Sequence, residues 1–266
     1  MNIIVCVKQV IDPEAPPSVF KIDAAANRVI PPPSMPPVIS TFDEYAVEAA
    51  LRIKEKAGGK VTALSLGMNL QRDIVKKPLS MGADELVLLE DPAFEGGDSW
   101  STAYALALAI RKIGPFDLIL CGRQAADWDS GQVGSGIAEI LGIPSVTVAR
   151  KVEAEGNKVK VERIIPDGYE VVEVGLPALV TISNEHPAPR YPNVKGIMAA
   201  KRKEPLIWKP ANIGADPAKL GASGRRAKLI KLFQPVRESK CEIMQADTPE
   251  EAATKLADKL REVKVL

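Results

Sequence analysis

The 266-residue sequence predicts an α/β fold: an open parallel sheet with helices on both faces, extended by a β-hairpin and a C-terminal arm. Three observations carry this expectation. Short apolar runs alternate with helix-periodic segments from Met1 to about Arg150, the pattern of right-handed βαβ units. Within that stretch, Leu118-Ile119-Leu120-Cys121 reads as a buried strand that runs into a polar loop, Gly122 to Gly136, and then a helix. An apolar fraction of 46% is enough for a sizeable core.

Residues 2–7 read as the first strand. Residues 8–41 are irregular, because Pro31-Pro32-Pro33 and Pro36-Pro37 fit neither a helix nor a central strand. Thr41 or Asp43 opens a helix with Ala46, Val47, Ala50, Leu51 and Ile53 on its apolar side, and Gly58-Gly59 stops it. A strand over 61–66 ends at Gly67, and residues 69–81 suggest a helix that Pro78 kinks or breaks. Strand 86–89 is followed by a loop and a helix to Lys112, capped by Asp98 or Ser99. The helix after the 122–136 loop places Ile137, Ala138, Ile140 and Leu141 on one face and stops at Gly142, with Pro144 just beyond. A strand near 145–150 follows, then alternation around Glu155-Gly156-Asn157 that predicts a solvent-faced hairpin. The alternation continues at 169–174, and 176–182 is an apolar strand. From Asn184 the core signal fades into a Pro-punctuated basic stretch, and only 249–263 looks like a regular helix, with Thr248 as N-cap and Pro249 at N1. The expected division is therefore 1–183 as an α/β domain and 184–266 as a docking loop and arm.

Loops at the carboxyl ends of parallel strands are where open α/β sheets bind ligands, and helix N-termini suit phosphate. The 122–134 loop has small residues whose N–H groups can approach a phosphate. Asp127 and Asp129 are able to accept from ribose hydroxyls, and Gln132 to meet phosphate or an adenine edge. This reads as a nucleotide site; the plainer reading is that the same polar residues only form and cap a tight loop. Ser40-Thr41-Phe42-Asp43 is a helix cap that can also face a phosphate, and Phe42 by itself reads as a core aromatic. Trp128 fits a surface position or a ring-stacking one.

Composition excludes several classes. With 35 basic and 34 acidic residues the net charge is +1, which gives no reason to bind nucleic acid or a membrane surface. No apolar run reaches bilayer length, and the short apolar start reads as a strand, not a signal peptide. Cys6, Cys121 and Cys241 form neither a metal pattern nor a disulfide framework, which suits a reducing, cytoplasmic setting. A single histidine, His186, leaves no His-based triad or His/Cys metal site, and Cys121 reads as a buried strand residue. The basic run 195–203, interleaved with Val194, Ile197 and Met198, reads as a solvated face or an adaptable docking surface.

Several spaced segments resemble the beta subunits of electron transfer flavoproteins. They are Ile3 to Val10, Phe42 to Arg52, Met81-Gly82-Ala83-Asp84, Cys121-Gly122-Arg123-Gln124-Ala125 with Gln132 and Gly134, Leu176 to Thr181, Arg190-Tyr191, Ile197-Met198 and Lys201-Arg202-Lys203. The resemblance covers nearly the whole chain. It implies a fold like that of adenine-nucleotide alpha-hydrolase-like domains. It also implies a heterodimer with an alpha subunit that carries FAD. This subunit would hold AMP, or, in electron-bifurcating members, a second FAD that takes hydride from NADH. Electrons would pass from dehydrogenases such as acyl-CoA dehydrogenases to a quinone oxidoreductase-type acceptor. Carried over by position, the nucleotide contacts are Cys6, Val7, Ser40, Thr41, Phe42, Asp43 and Leu66, together with Gly122, Arg123, Gln124, Ala125, Asp127, Asp129, Ser130, Gly131, Gln132 and Val133. Phe42 matches a residue near the alpha-subunit flavin, and the segment around Val194 the loop that anchors the dehydrogenase. Two positions depart from the pattern: Trp128 stands where bifurcating relatives have a small residue, and Pro13 where some relatives have a tyrosine near the flavin. A stand-alone nucleotide-hydrolysing or nucleotide-sensing domain is the competing reading from the fold class alone.

Overall fold

The computed structural model describes residues 1–235 and 241–265. One sheet holds nine strands: β1 (Asn2–Cys6), β2 (Lys60–Leu66), β3 (Glu85–Leu89), β4 (Leu118–Gly122), β5 (Ser145–Glu155), β6 (Lys158–Ile165), β7 (Gly168–Gly175), β8 (Ala178–Ile182) and β9 (Leu206–Trp208). Their order is β7-β6-β5-β8-β4-β1-β2-β3-β9. The run from β5 to β9 is parallel, and β5-β6-β7 is an antiparallel meander at one edge. The sheet is therefore mixed, with a parallel centre. The hairpin expected from residue 151 is continuous with the strand expected at 145–150. One long strand serves both, because Val146, Ala149 and Val152 are all buried.

The helices are α1 (Thr41–Ala57), α2 (Arg72–Val75), α3 (Lys77–Met81), α4 (Ser99–Ile113), α5 (Val133–Leu141), α6 (Val194–Arg202), α7 (Gly221–Gly224) and α8 (Pro249–Glu262). Alternate residues of β1 serve two cores. Ile3 and Val5 pack with α1, α2, α3 and Ala200 of α6, while Ile4 and Cys6 pack with α4 and α5. Helices thus cover both faces of the sheet, as the alternating pattern requires. The helix expected over 69–81 is two short ones, α2 and α3, parted at Lys76, just before Pro78. Asp98 is the N-cap of α4, with Ser101 completing a capping box. No helix among the described residues is long and apolar enough to cross a membrane.

Three local readings differ. The segment 8–41 is not wholly irregular: Lys21–Asp23 pairs with Arg28–Ile30, and Gln9–Val10 with Val38–Ile39. The Asp23 carboxylate makes the first of these turns by accepting from Ala25 and Ala26 N–H. Helix α5 begins at Val133, inside the expected loop, and Gly134 explains why. A Cβ there would lie 2.7 Å from Thr181 Cγ2 on β8, so glycine lets the helix press onto the sheet. Finally, residues beyond 184 are not all arm. They form α6, edge strand β9 and the turns up to Gly224, and the unit Met1–Ile230 includes them. A second unit starts at Lys231 and contains α8, which begins as expected: Thr248 Oγ1 accepts from Glu251 N–H at 3.2 Å and Pro249 is the first helical residue.

Candidate functional site

From β1 the chain crosses through α1 to β2 on one side; from β4 it crosses through α5 to β5, on the other side of the sheet. The crevice between the carboxyl ends of β1 and β4 is therefore the topological switch point, where such sheets take their ligands. Cys6, Val7 and Lys8 line one side of it, Gly122 and Arg123 the other.

The start of α1 ties the two sides together. Asp43 accepts from Lys8 N–H through Oδ2 at 2.8 Å and from Gly122 N–H through Oδ1 at 3.1 Å. The close approach leaves no room for a side chain at 122: a Cβ there would stand 2.5 Å from Asp43 Oδ1 and 2.7 Å from Phe42 Cβ. Ser40 occupies the N-cap position of α1 but makes no side-chain cap bond. Its hydroxyl instead accepts from Ala126 N–H at 3.2 Å, pinning the loop. The cap reading of Ser40 and Asp43 is thus replaced by one in which both hold the 122–133 loop.

Cys6, Val7, Ser40 and Asp43 are buried beneath that loop, Leu66 and Phe42 are half-buried, and Thr41 and Asp127 to Gln132 are exposed. Asp127 is bound by Lys8 Nζ at 2.7 Å, and Asp129 by Gln124 Nε2 at 2.8 Å. These two carboxylates therefore brace the loop. Ser130, Gly131 and Gln132 lie at its exposed end, where Ser99 Oγ donates to Ser130 Oγ at 3.2 Å. No side chain caps α5, so the first-turn N–H groups from Val133, Gly134 and Ser135 open toward the same end. Trp128, 58% exposed, sits at the tip.

Phe42 lies outside both buried cores. Its ring is covered by the Arg123 guanidinium, 4.9 Å from the ring centroid. Arg123 Nε is buried without a hydrogen-bond partner. Burial pushes the Asp43 carboxyl up to about 7, against the Lys8 and Gly122 N–H bonds and the Lys8 charge, which hold it down; the Asp127 charge adds to the rise. Cys121 lies beside Cys6 on adjacent strands. Its thiol is pushed up by the hydrogen bond with Cys6 and by burial, so it stays protonated and structural.

The donors gathered here suit an anion with hydroxyls attached: unbonded helix N–H groups, a hydroxyl, an amide and a guanidinium. Sequence reasoning singled out every element of the loop but missed Lys8 and Ser99. Lys8, one residue past the first strand, could have been found as a cation at the strand's carboxyl end. A separate surface lies at α6, where Tyr191, Val194, Ile197 and Met198 are exposed among Lys195, Lys201 and Arg202.

Residues 35–212 match the family model described as the electron transfer flavoprotein domain. The chain is 42% identical over 261 residues to the electron transfer flavoprotein subunit beta of Thermoanaerobacterium thermosaccharolyticum, covering 98% of each chain. It is 39% identical over 267 residues to the caffeyl-CoA reductase-Etf complex subunit CarD of Acetobacterium woodii, covering 100% of each. Against protein FixA of Azorhizobium caulinodans it is 35% identical over 243 residues, with 88% of this chain and 85% of the relative covered.

Proposed function

Because the chain belongs to the electron transfer flavoprotein family, on the beta-subunit side, we propose that it binds an adenine nucleotide, AMP or FAD, at the β1–β4 switch point and pairs with an FAD-carrying alpha subunit. In that heterodimer it helps pass electrons from an acyl-CoA dehydrogenase-type donor to a quinone oxidoreductase-type acceptor, in the cytoplasm. The observation that carries the reading is the braced loop above the switch point, tied by Asp43 to both central strands and ending at an uncapped helix.

In this reading the N–H groups at the start of α5 receive the phosphate, with Ser130 and Gln132 beside it. Asp43, Ser40, Lys8 and Asp127 keep the loop in place, and Arg123, braced on Phe42, brings its positive charge to the ligand. When bound, FAD on the alpha subunit supplies the electron carrying; this chain contributes position and exclusion of water. The carboxyl groups of Asp43, Asp127 and Asp129 are occupied in bracing the loop, and a carrier needs no acid, base or nucleophile there. The exposed apolar side chains of α6 within a basic rim fit a dehydrogenase that presents an apolar hollow edged by carboxylates.

FAD in place of AMP is the second reading. A groove of about 430 Å³, lined by residues that include Gln9, Val10, Pro32, Met35, Gln71 and Asp127, opens beside the loop and gives space for a larger ligand than AMP. An FAD there would show visible absorbance on this subunit that NADH bleaches. The pairing is tested by co-expression with the alpha subunit of the same operon or genome. A 1:1 flavin-containing complex is the expected product; a chain that purifies alone and colourless would contradict the proposal.

A further inference from the structure

The segment that leads into α6 is held by a buried charge that neither the nucleotide site nor the sheet uses. Glu48, on α1, is 1% exposed. It accepts four hydrogen bonds: from Arg190 N–H at 3.1 Å, Arg190 Nε at 2.8 Å, Arg190 Nη2 at 3.2 Å and Arg52 Nε at 2.6 Å. Burial would raise its carboxyl, but the bonds from Arg190 and Arg52 hold it below the ordinary range. Arg190 also pairs with Glu55, about two turns further along α1.

A buried ion pair adds little net stability over a well-packed apolar pair, because desolvation offsets its Coulomb attraction. What it does fix is geometry. Here the main-chain N–H of residue 190 is bound as well as its side chain, so the backbone itself is located. The next residue, Tyr191, is 96% exposed, and Val194, at the first turn of α6, is 78% exposed. Asn193 caps that turn by accepting from Gly196 N–H at 2.8 Å. At the far end of α6, Lys203 Nζ donates to Asp84 O at 2.7 Å. His186, buried on the same segment, anchors its upstream part. The apolar side chains thus project from a segment held at both ends.

We propose that Arg190 is a positioning residue for partner docking: its clamp on Glu48 holds the root of α6 so that Tyr191 and Val194 are presented already in their docked pose. Pre-ordering of this kind lowers the entropy lost on association. The inference rests on the reading of α6 as the surface that meets the dehydrogenase.

The test uses the heterodimer with its alpha subunit, reduced by an acyl-CoA dehydrogenase turning over butyryl-CoA. Arg190→Ala should raise the KM for the dehydrogenase about tenfold while kcat at saturation, flavin content and reduction by dithionite stay at wild-type values. Arg190→Lys, which keeps the charge without the forked geometry, should fall between. Val194→Ala alone should also raise KM. The double variant Arg190→Ala/Val194→Ala should then be little worse than the poorer single, since both changes act through one docked pose. Additive effects, or a fall in kcat with KM unchanged, would overturn the positioning role. An unchanged KM in Val194→Ala would instead overturn the docking reading on which it rests. Should Arg190→Ala fail to fold, Arg190→Lys and Glu48→Gln carry the same comparison.

Discussion

Asp43→Ala is expected to lower the free energy of unfolding by about 2–5 kcal/mol at pH 5 and to strip the chain of nucleotide. The Asp43 carboxyl is the one acceptor for two N–H groups, that of Gly122 at the end of β4 and that of Lys8 just past the end of β1. Alanine leaves both donors without a partner beneath the loop, and each buried orphan costs about 1–3 kcal/mol. It also unties α1 from the switch point, so the loop over the crevice loses its anchor. The effect has a pH signature. The folded carboxyl titrates at about 7 where the ordinary value is 3.8. Between those values the native state keeps a proton that the unfolded chain has released. The stabilisation from that proton is complete below the unfolded value and is lost as pH rises through the folded one. Urea midpoints measured at about pH 5 and about pH 8 should therefore show wild type and Asp43→Ala drawing closer at the higher pH. A gap that widens with pH would contradict the burial-driven shift, and wild-type nucleotide retention by the variant would contradict the anchoring role.

Gly122→Ala is expected to weaken nucleotide binding by at least about tenfold while costing about 1–3 kcal/mol of stability. A single methyl group would meet Asp43 Oδ1 at 2.5 Å, Phe42 Cβ at 2.7 Å and the Phe42 carbonyl carbon at 2.8 Å. All three atoms belong to the first turn of α1, whose backbone cannot move without dragging Ser40 and Asp43 off the loop. Over-packing at a rigid contact is relieved by displacement, and here displacement opens the site. Equilibrium dialysis against AMP, alongside urea unfolding, separates the two quantities. Unchanged affinity in a folded Gly122→Ala would show that the β4–α1 contact is not part of the site.

Much of this was legible in the sequence. The central strands could be read because each is a short apolar run closed by glycine or a polar turn, as at Leu118 to Gly122, and α1 because its apolar residues recur at helical spacing. The loop over 122–133 could be read because a polar, small-residue stretch follows a buried strand. What escaped reading lacked a local signal. Helix α6 buries only Ala200, and β9 is a three-residue edge strand with Leu206 and Ile207 half exposed, so neither shows the contrast that periodicity needs. The decisive ties are long-range: Asp43 and Gly122 are 79 residues apart, and Glu48 and Arg190 are 142 apart. Spacing along the chain carries no trace of such partners. Gly134 reads as loop chemistry in sequence and turns out to serve helix–sheet packing, because only the fold brings Thr181 against it.

On the proposed reading, this chain holds an adenine nucleotide of its own beside the flavin of its partner. The most direct test is to purify the heterodimer, denature it, and quantify released FAD and AMP per complex. Two adenine nucleotides per complex are expected: one FAD with one AMP, or two FAD. One FAD with no second adenine nucleotide, in an intact and active complex, would contradict it.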